Sequence, residues 1–407
     1  MQSRQAFLDD AIANYRSLPL ETNPLYKKYC LDVPLPEDGG SNDSVNADAV
    51  ANQISERTRI KFDAVVSASR AISANSSVRI VEAANAEEKF LHEKLFKSSE
   101  DKLAAYSNAH SKYFIIIDSD ERRPHAINLL FLNSGTLPVQ VIVNAKSGSK
   151  VSIFEVFASE SKSAGSVVAL HEIIAGEGSD VEVNVLHNEN ASSNVVNLYK
   201  ASVASSTKLR ANFIFNGGLM TKSKGIVDSS GTESDVEINE IAFGSNEQRF
   251  DLGNSLANTK PRSRVQLNSG AVLDGKSQCM LKGYAKVEKG TKGCFSKITE
   301  RGILLSGDAH IDALPDMSID YSNEVKATHS AATSPIDREA LFYLQSRGLG
   351  EEQAKKMFIT AFISKYMSNI TNGAASEIAM SVMLEKLERG TFGVMSDLSA
   401  KGVWISK

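Results

Sequence analysis

From about Lys112 the chain becomes a succession of short stretches in which apolar and polar positions alternate. They read YFIIID, NLLFLN, VQVIVN, VSIFEVF, VVALHEII, VEVNVLH, VVNLYKA, LRANFIF, VEINEIAF and VQLNSG. Each is rich in β-branched residues and bounded by Gly, Ser, Asn or Asp, which is the pattern of strands separated by turns. The pattern also repeats. SGSKVSI, EGSDVEV, SSTKLRA, TESDVEI and PRSRVQL place Val151, Val181, Leu209, Val236 and Val265 as the first apolar residue after a turn, at spacings of 30, 28, 27 and 29 residues. KGTKGCF puts Cys294 another 29 on. A fixed period of this length predicts stacked coils, each burying its face on the next. The expected fold is mainly β, a solenoid of the parallel β-helix kind. A large antiparallel sandwich with evenly spaced strands is the alternative.

The flanks have a different texture. Residues 3–17 carry Phe7, Ala11, Ile12 and Tyr15 at helical spacing. DVPLPEDGGSNDSVN is a loop by its Pro, Gly, Asn and Asp content, VRIVEA a short strand, and NAEEKFLHEKLFKSSEDKLAAYSNA a helix. Beyond the solenoid, Ser334-Pro335-Ile336-Asp337 resembles a capping box with Pro at the first helical position, and DREALFYLQSR runs as a helix to Gly348. GEEQAKKMFITAFISKYM follows, with Ala354, Met357, Phe358, Ala361 and Tyr366 read as one stripe, and ASEIAMSVMLEKLERG closes the unit. The expected organisation is an N-terminal helical region over 1–110, a β-helix core over 111–333 and a C-terminal helical domain over 334–407. Leu341, Phe342, Tyr343 and Leu344 are consecutive large residues that one helical face cannot bury, so the first C-terminal helix needs a second surface.

Composition changes this picture little. Hydrophobic residues are 42% and charged ones 23% of 407 residues, ordinary for a globular chain. With 45 basic and 49 acidic residues the net charge is −4, which gives no general reason to bind nucleic acid. The N-terminus lacks an apolar leader core and no apolar run is long enough to span a bilayer, so no membrane association is expected. Three cysteines, Cys30, Cys279 and Cys294, without a C-x-x-C pair fit a reducing, cytoplasmic setting and no structural zinc.

Candidate chemistry is sparse. GAVLDGKS (Gly270 to Ser277) fits the phosphate-loop pattern, but QCMLKGYAKVEKG after it alternates like a strand. The expected reading is a solenoid turn with Gly270 and Gly275 at corners. The carboxylates from Glu233 to Glu240 are read as a solvated strand face. The seven histidines, His92, His110, His125, His171, His187, His310 and His329, show no ligand spacing. His310 reads as an alternating-strand side chain. His329 stands among Ala327, Thr328, Ser330 and Ala331, where little bulk shields it, and a neutral imidazole is a good iron ligand; a surface histidine is the plainer reading. A β-helix hydrolase or lyase acting on carbohydrate remains an alternative function. It would have few aromatic sugar platforms, with Trp404 the one tryptophan.

Residues 302–350 resemble the C-terminal signature of the SufB/SufD family, scaffold subunits of the Suf iron–sulfur cluster assembly system. The pieces are LLSGDAHIDALPDMSI, an acidic turn, V-x-x-x-H, and I-D-x-E-x-L-F-Y-L-x-S-R-G. Weaker likeness runs back through LNSGAVLDGKSQCMLKGYAKV, KVSIFEVFAS and EEKFLHEKLF. The resemblance implies a right-handed parallel β-helix flanked by helices, and a non-enzymatic scaffold. It implies pairing with a SufB-type subunit or with itself as a dimer, and docking of a SufC-type ABC ATPase on the C-terminal helices. Ile336, Leu341, Phe342, Tyr343, Arg347, Met357 and Phe358 fall in that docking region. His329 matches the SufD-type histidine at the subunit interface, where a transient iron–sulfur cluster would be shared with the partner. The sequence departs from the SufB pattern: Arg301 stands near the SufB cysteine position and Ser330 where SufB carries a glutamate. Ala327 stands where a SufD-like cysteine would precede the histidine. The reading is therefore SufD-like, with Cys279 or Cys294 as weak substitute thiol ligands. A flavin accompanies some complexes of the family, and no residue here identifies a flavin site.

Overall fold

In the computed structural model, which describes residues 4–27, 30–37, 47–67, 69–86, 95–159, 164–320 and 324–389, the sequence repeat is a stack of strands. They are β1 (Ala64–Ser67), β2 (Ala71–Ser73), β3 (Val78–Glu82), β4 (Tyr113–Ser119), β5 (His125–Asn133), β6 (Thr136–Ala145), β7 (Lys150–Ser159), β8 (Ser166–Ala175), β9 (Asp180–Asn188) and β10 (Asn194–Val203). The stack continues with β11 (Lys208–Phe215), β12 (Met220–Ser229), β13 (Asp235–Gly244), β14 (Arg249–Asn258), β15 (Arg264–Leu273), β16 (Gln278–Val287), β17 (Phe295–Leu304), β18 (His310–Ile319) and β19 (Lys326–Pro335). From β4 on, successive strands alternate between two sheets, and each pairs in parallel with the strand two places along. The fold is thus a parallel β-solenoid, and parallel pairing rules out the sandwich.

The repeat seen in the sequence is the register of one sheet. Val151, Val181, Leu209, Val236 and Val265 stand side by side across β7, β9, β11, β13 and β15. The next member of that column is Ser296, not Cys294. The chain lengthens by two residues before β17, through a turn holding Gly290 and Gly293 at positive φ. Between the sheets lies a continuous apolar core of inward-facing side chains, from Ile115 at one end to Ile311 at the other.

Seven helices flank the stack: α1 (Arg4–Ser17), α2 (Pro24–Lys27), α3 (Ala47–Thr58), α4 (Lys102–His110), α5 (Arg338–Ser346), α6 (Glu351–Met367) and α7 (Gly373–Arg389), counted among the described residues. The described part of the N-terminal 110 residues holds strands as well as helices. β1 adds in parallel to β5 and β3 adds antiparallel to β4, so this region supplies the first edge of both sheets. The helix expected over 85–109 is confined to α4 in its described part, with turns before it and Asp101 as its cap, accepting from the N–H groups of Leu103 and Ala104. His92 and the remainder of that stretch, most of the 32–46 loop, and Trp404 lie outside the described residues.

Both outer sheet faces are covered. Leu31, Val33, Phe96, Leu103 and Tyr106 pack on Val168, Leu170, Val196 and Leu198 of the even-numbered sheet. Polar positions of that face are buried with partners. Lys222 Nζ lies 2.7 Å from Asp251 Oδ2, Lys282 pairs with the other oxygen, and the Leu31 N–H donates to Asp251 at 2.9 Å. Helices α6 and α7 cover the odd-numbered sheet over Leu186, Ile214, Ile241, Phe243 and Val272. The face of α6 that does so is Ala354, Ile359, Ile363, Tyr366 and Met367; Met357 and Ala361 of the expected stripe point outward. Gly270 is not a corner residue. It lies mid-strand in β15, where the Tyr366 ring occupies the space a side chain would take and its hydroxyl donates to Ser269 O at 3.1 Å. Gly275 does sit in a turn, at φ +64°, and a strand follows, so GAVLDGKS is no phosphate loop. On α7, buried Lys386 donates to the carbonyls of Asn216 and Phe243 and to Gln248 Oε1. Burial holds its pKa well below the usual lysine value. No helix among the described residues is long and apolar enough to cross a membrane.

Candidate functional site

At the far end of the solenoid no further strand is added among the described residues. β18 and β19 are the outermost strands of their sheets, each ten residues long. A terminal strand has one row of backbone N–H and C=O groups with no sheet neighbour. β19 is exposed or half-exposed along its whole length, and among the described residues its main contacts are with β17 and the facing β18. Between Lys326 at its start and Pro335 at its end its residues are mostly small, so little bulk blunts the middle of the edge.

His329 lies in the middle of this strand. It pairs in register with Ile298, so its side chain shares the inward-facing row with Ala327, Ala331 and Thr333, at the mouth of the stack. The facing strand presents Ile311, Ala313, Pro315 and Met317. His310 starts β18, exposed, with Nε2 3.2 Å from Asp312 Oδ1.

The two thiols lie elsewhere. Cys279 is buried in the core on β16, one strand in from Ile311, where burial raises its pKa well above the usual thiol value. Cys294 is buried in the turn before β17, 3.4 Å from Ser263 Oγ and 3.2 Å from Lys260 O. Among the described residues no group of three or more His, Cys, Asp or Glu is placed to hold a metal ion. A cluster at His329 would therefore need ligands from outside the described part of this chain.

Behind the mouth runs an inward column with polar members that the sequence did not announce. Glu155, Val185, Phe213, Glu240, Ser269, Glu300 and Ala331 stand in one column of the odd-numbered sheet, facing the core. Glu240 is buried, not on a solvated face, and accepts from Ser269 Oγ at 2.6 Å and Asn254 Nδ2 at 2.8 Å. Burial pushes its pKa up to about 7 against those two hydrogen bonds. Glu300 rises to about 8, by burial and by the charge of Glu240. Its carboxyl occupies the space beside Gly283, where an added Cβ would come within 3.0 Å of Oε1. Further back, His171 Nε2 contacts Glu155 at 2.9 Å. Burial, which alone would lower the His171 pKa, is outweighed by that carboxylate, so the ring is raised. His187 is also buried, stacked between Phe157 and Phe215, with Nδ1 2.7 Å from Glu189. The register argument could have found this row: Glu240 occupies an inward position once VEINEIAF is aligned on Val236.

A second exposed feature lies on the helices. No residue of α5 is buried; Leu341 and Leu344 are half-buried against the body, whereas Phe342 is 71% and Tyr343 57% exposed. Met357 on α6 is 55% exposed and Phe358 half-buried. The Arg347 guanidinium stacks over the Tyr343 ring at 5.2 Å, and Ile336 is half-buried at the start of the unit. Exposed aromatic residues flanked by polar ones are typical of association surfaces.

Comparison with known proteins shows which family the chain resembles. The domain family described as SUF system FeS cluster assembly, SufBD core domain, matches residues 131–362. An iron–sulfur cluster assembly SufBD family protein of Pyrococcus horikoshii is 26% identical over 284 residues, 68% of this chain and 63% of that protein. The iron–sulfur cluster assembly protein SufD of Escherichia coli is 23% identical over 174 residues, 43% of this chain and 41% of that protein. Each match spans less than two thirds of the relative's own length.

Proposed function

The chain belongs to the SufBD family of iron–sulfur cluster assembly proteins, and from that premise we propose that it is a SufD-like scaffold subunit. It works by joining other proteins, not by turning over a substrate, and it acts in the cytoplasm. Its β18–β19 end pairs with a SufB-type subunit or a second copy of itself, each sheet continuing across the junction. The transient cluster is cargo held at that junction, with His329 offering one imidazole to iron and the partner the remaining ligands. A SufC-type ATPase docks on the outer faces of α5 and α6, through Phe342, Tyr343, Met357 and Phe358, with Ile336, Leu341 and Arg347 at the margin.

The observation that carries this reading is the terminal edge itself. Two ten-residue edges lie side by side, and His329 stands between them on the inward row. Long, flat, unprotected edges favour pairing with another chain. The test is Ala331→Lys, which puts a charge in the mouth without touching the helices. Light scattering of the purified chain, alone and mixed with a SufB-type subunit, should show an assembly that the variant loses while its circular dichroism is unchanged. An unaltered assembly in Ala331→Lys would refute pairing through this end. His329→Ala should keep the assembly and lower the cluster it carries after anaerobic reconstitution, read from visible absorbance.

A further inference from the structure

Where the N-terminal segment meets the outer face of the even-numbered sheet, it closes over a cluster of ionisable side chains. Lys222 of β12, Asp251 of β14 and Lys282 of β16 stand on neighbouring strands, each no more than 2% exposed, with Asp251 contacting both lysines. The Tyr26 ring lies under Lys282 Nζ at 5.6 Å, and Cys30 Sγ lies 3.2 Å from Lys222 Nζ. Cys30 is half-buried, whereas Cys279 and Cys294 are buried, so it is the thiol that a small solute can reach. Burial holds the Cys30 thiol above its usual pKa, against the opposing charge of Lys222, and the sulfur keeps its proton. For Lys222, burial alone would lower the pKa, but Asp251 and Cys30 outweigh it and the ammonium persists. Two ammonium groups thus face one carboxylate, which leaves one buried positive charge without a counter-charge in the cluster. Such a charge is costly to keep out of water.

We propose that Cys30 and Lys222 form an oxidation-driven covalent bridge, a sulfenamide, that pins the N-terminal segment to the solenoid. The oxidant is hydrogen peroxide. Lys222 donates to the sulfur and stabilises the thiolate that attacks it. The O–O bond breaks, Cys30 becomes a sulfenic acid, and the second oxygen leaves as water with the thiol proton. The Lys222 nitrogen then gives up one proton to solvent and attacks the sulfur. An S–N bond forms, the S–O bond breaks, and the hydroxyl leaves as water with a second proton from the nitrogen. Sulfur is oxidised by two electrons and the peroxide is reduced by two. Nitrogen and sulfur are already in contact, so the step needs little ordering. It also removes the surplus charge, since Lys282 and Asp251 remain as a neutral pair. The proposal is independent of cluster assembly, since it uses neither β18 and β19 nor α5.

The test is to treat the full chain with hydrogen peroxide, read its intact mass and map its proteolytic peptides. In the unaltered chain the mass should fall by that of two hydrogen atoms. The peptides holding Cys30 and Lys222 should come off joined, and a thiol reductant should separate them. Amide hydrogen exchange at Leu31 and Val33 should slow several-fold in the bridged chain. Cys30→Ser should show none of these changes. Lys222→Arg keeps a positive charge beside Asp251 but offers no amine, so there Cys30 should gain oxygen and stay unlinked. An unaltered chain whose Cys30 gains oxygen without joining Lys222, or stays unmodified, would overturn the proposal. So would a linkage that persists in Lys222→Arg, or exchange at Leu31 and Val33 indifferent to the bridge.

Discussion

Glu300 shows how a single residue behaves differently inside this stack from what its sequence neighbours announce. Its carboxyl is buried beside Gly283 and near Glu240, so it holds its proton up to a pH of about 8 instead of losing it near 4.5. Between those values the folded chain binds a proton that the unfolded chain does not, and stability falls as pH rises. Glu300→Gln is neutral throughout. Its stability relative to the parent should therefore grow from pH 5 to pH 8, by about 1–3 kcal/mol, measured as denaturant midpoints at the two values. A constant difference would mean the carboxyl is not held protonated. The sequence hid this because a glutamate on an alternating strand is ordinarily taken as facing water. Only the register, with Glu240, Ser269 and Glu300 in one inward column, reveals the burial. His329 was legible as an unshielded residue near the end of the β region. That it lies in the middle of the last strand was not, because KATHSAATSP has no apolar alternation.

At the scale of elements, strands with apolar alternation, such as β7, β9 and β13, were readable and their period gave the register. β12 and β14 were not. MTKSKGIVDS and RFDLGNSLAN carry Lys222 and Asp251 outward, where the N-terminal segment buries them as an ion pair instead of an apolar face. Partners distant in sequence defeat a local pattern. The phase of α6 was misread for a related reason: Met357 and Phe358 lie as close to a helical stripe as Ile359 and Ile363, and the sheet beneath selects the second pair. Tyr366 fixes that phase by lying over Gly270. Gly270→Ala would drive a methyl into the ring, forcing α6 to shift. The expected cost is about 1–3 kcal/mol, with faster amide exchange across α6 and little change in β4 to β11. Unchanged exchange in α6 would show that the ring does not anchor the helix.

At the scale of the whole molecule, the two flanks of the solenoid are covered, one by the N-terminal segment and one by α6 and α7, and among the described residues the β18–β19 end adds no further strand. Exposed Phe342, Tyr343 and Met357 lie on α5 and α6 and not on β18 or β19, so the proposed reading gives the two partners separate elements to bind. That separation is what a scaffold joining a partner subunit to an ATPase requires. The most direct test is anaerobic purification of the tagged chain from its own cells, in the unaltered form and as Phe342→Asp and Ala331→Lys, with the co-purifying proteins identified by mass. The account predicts that a SufC-type ATPase accompanies the unaltered chain and Ala331→Lys but not Phe342→Asp, while a SufB-type or second SufD-type subunit is lost only from Ala331→Lys. A chain that comes down alone in all three forms would contradict it.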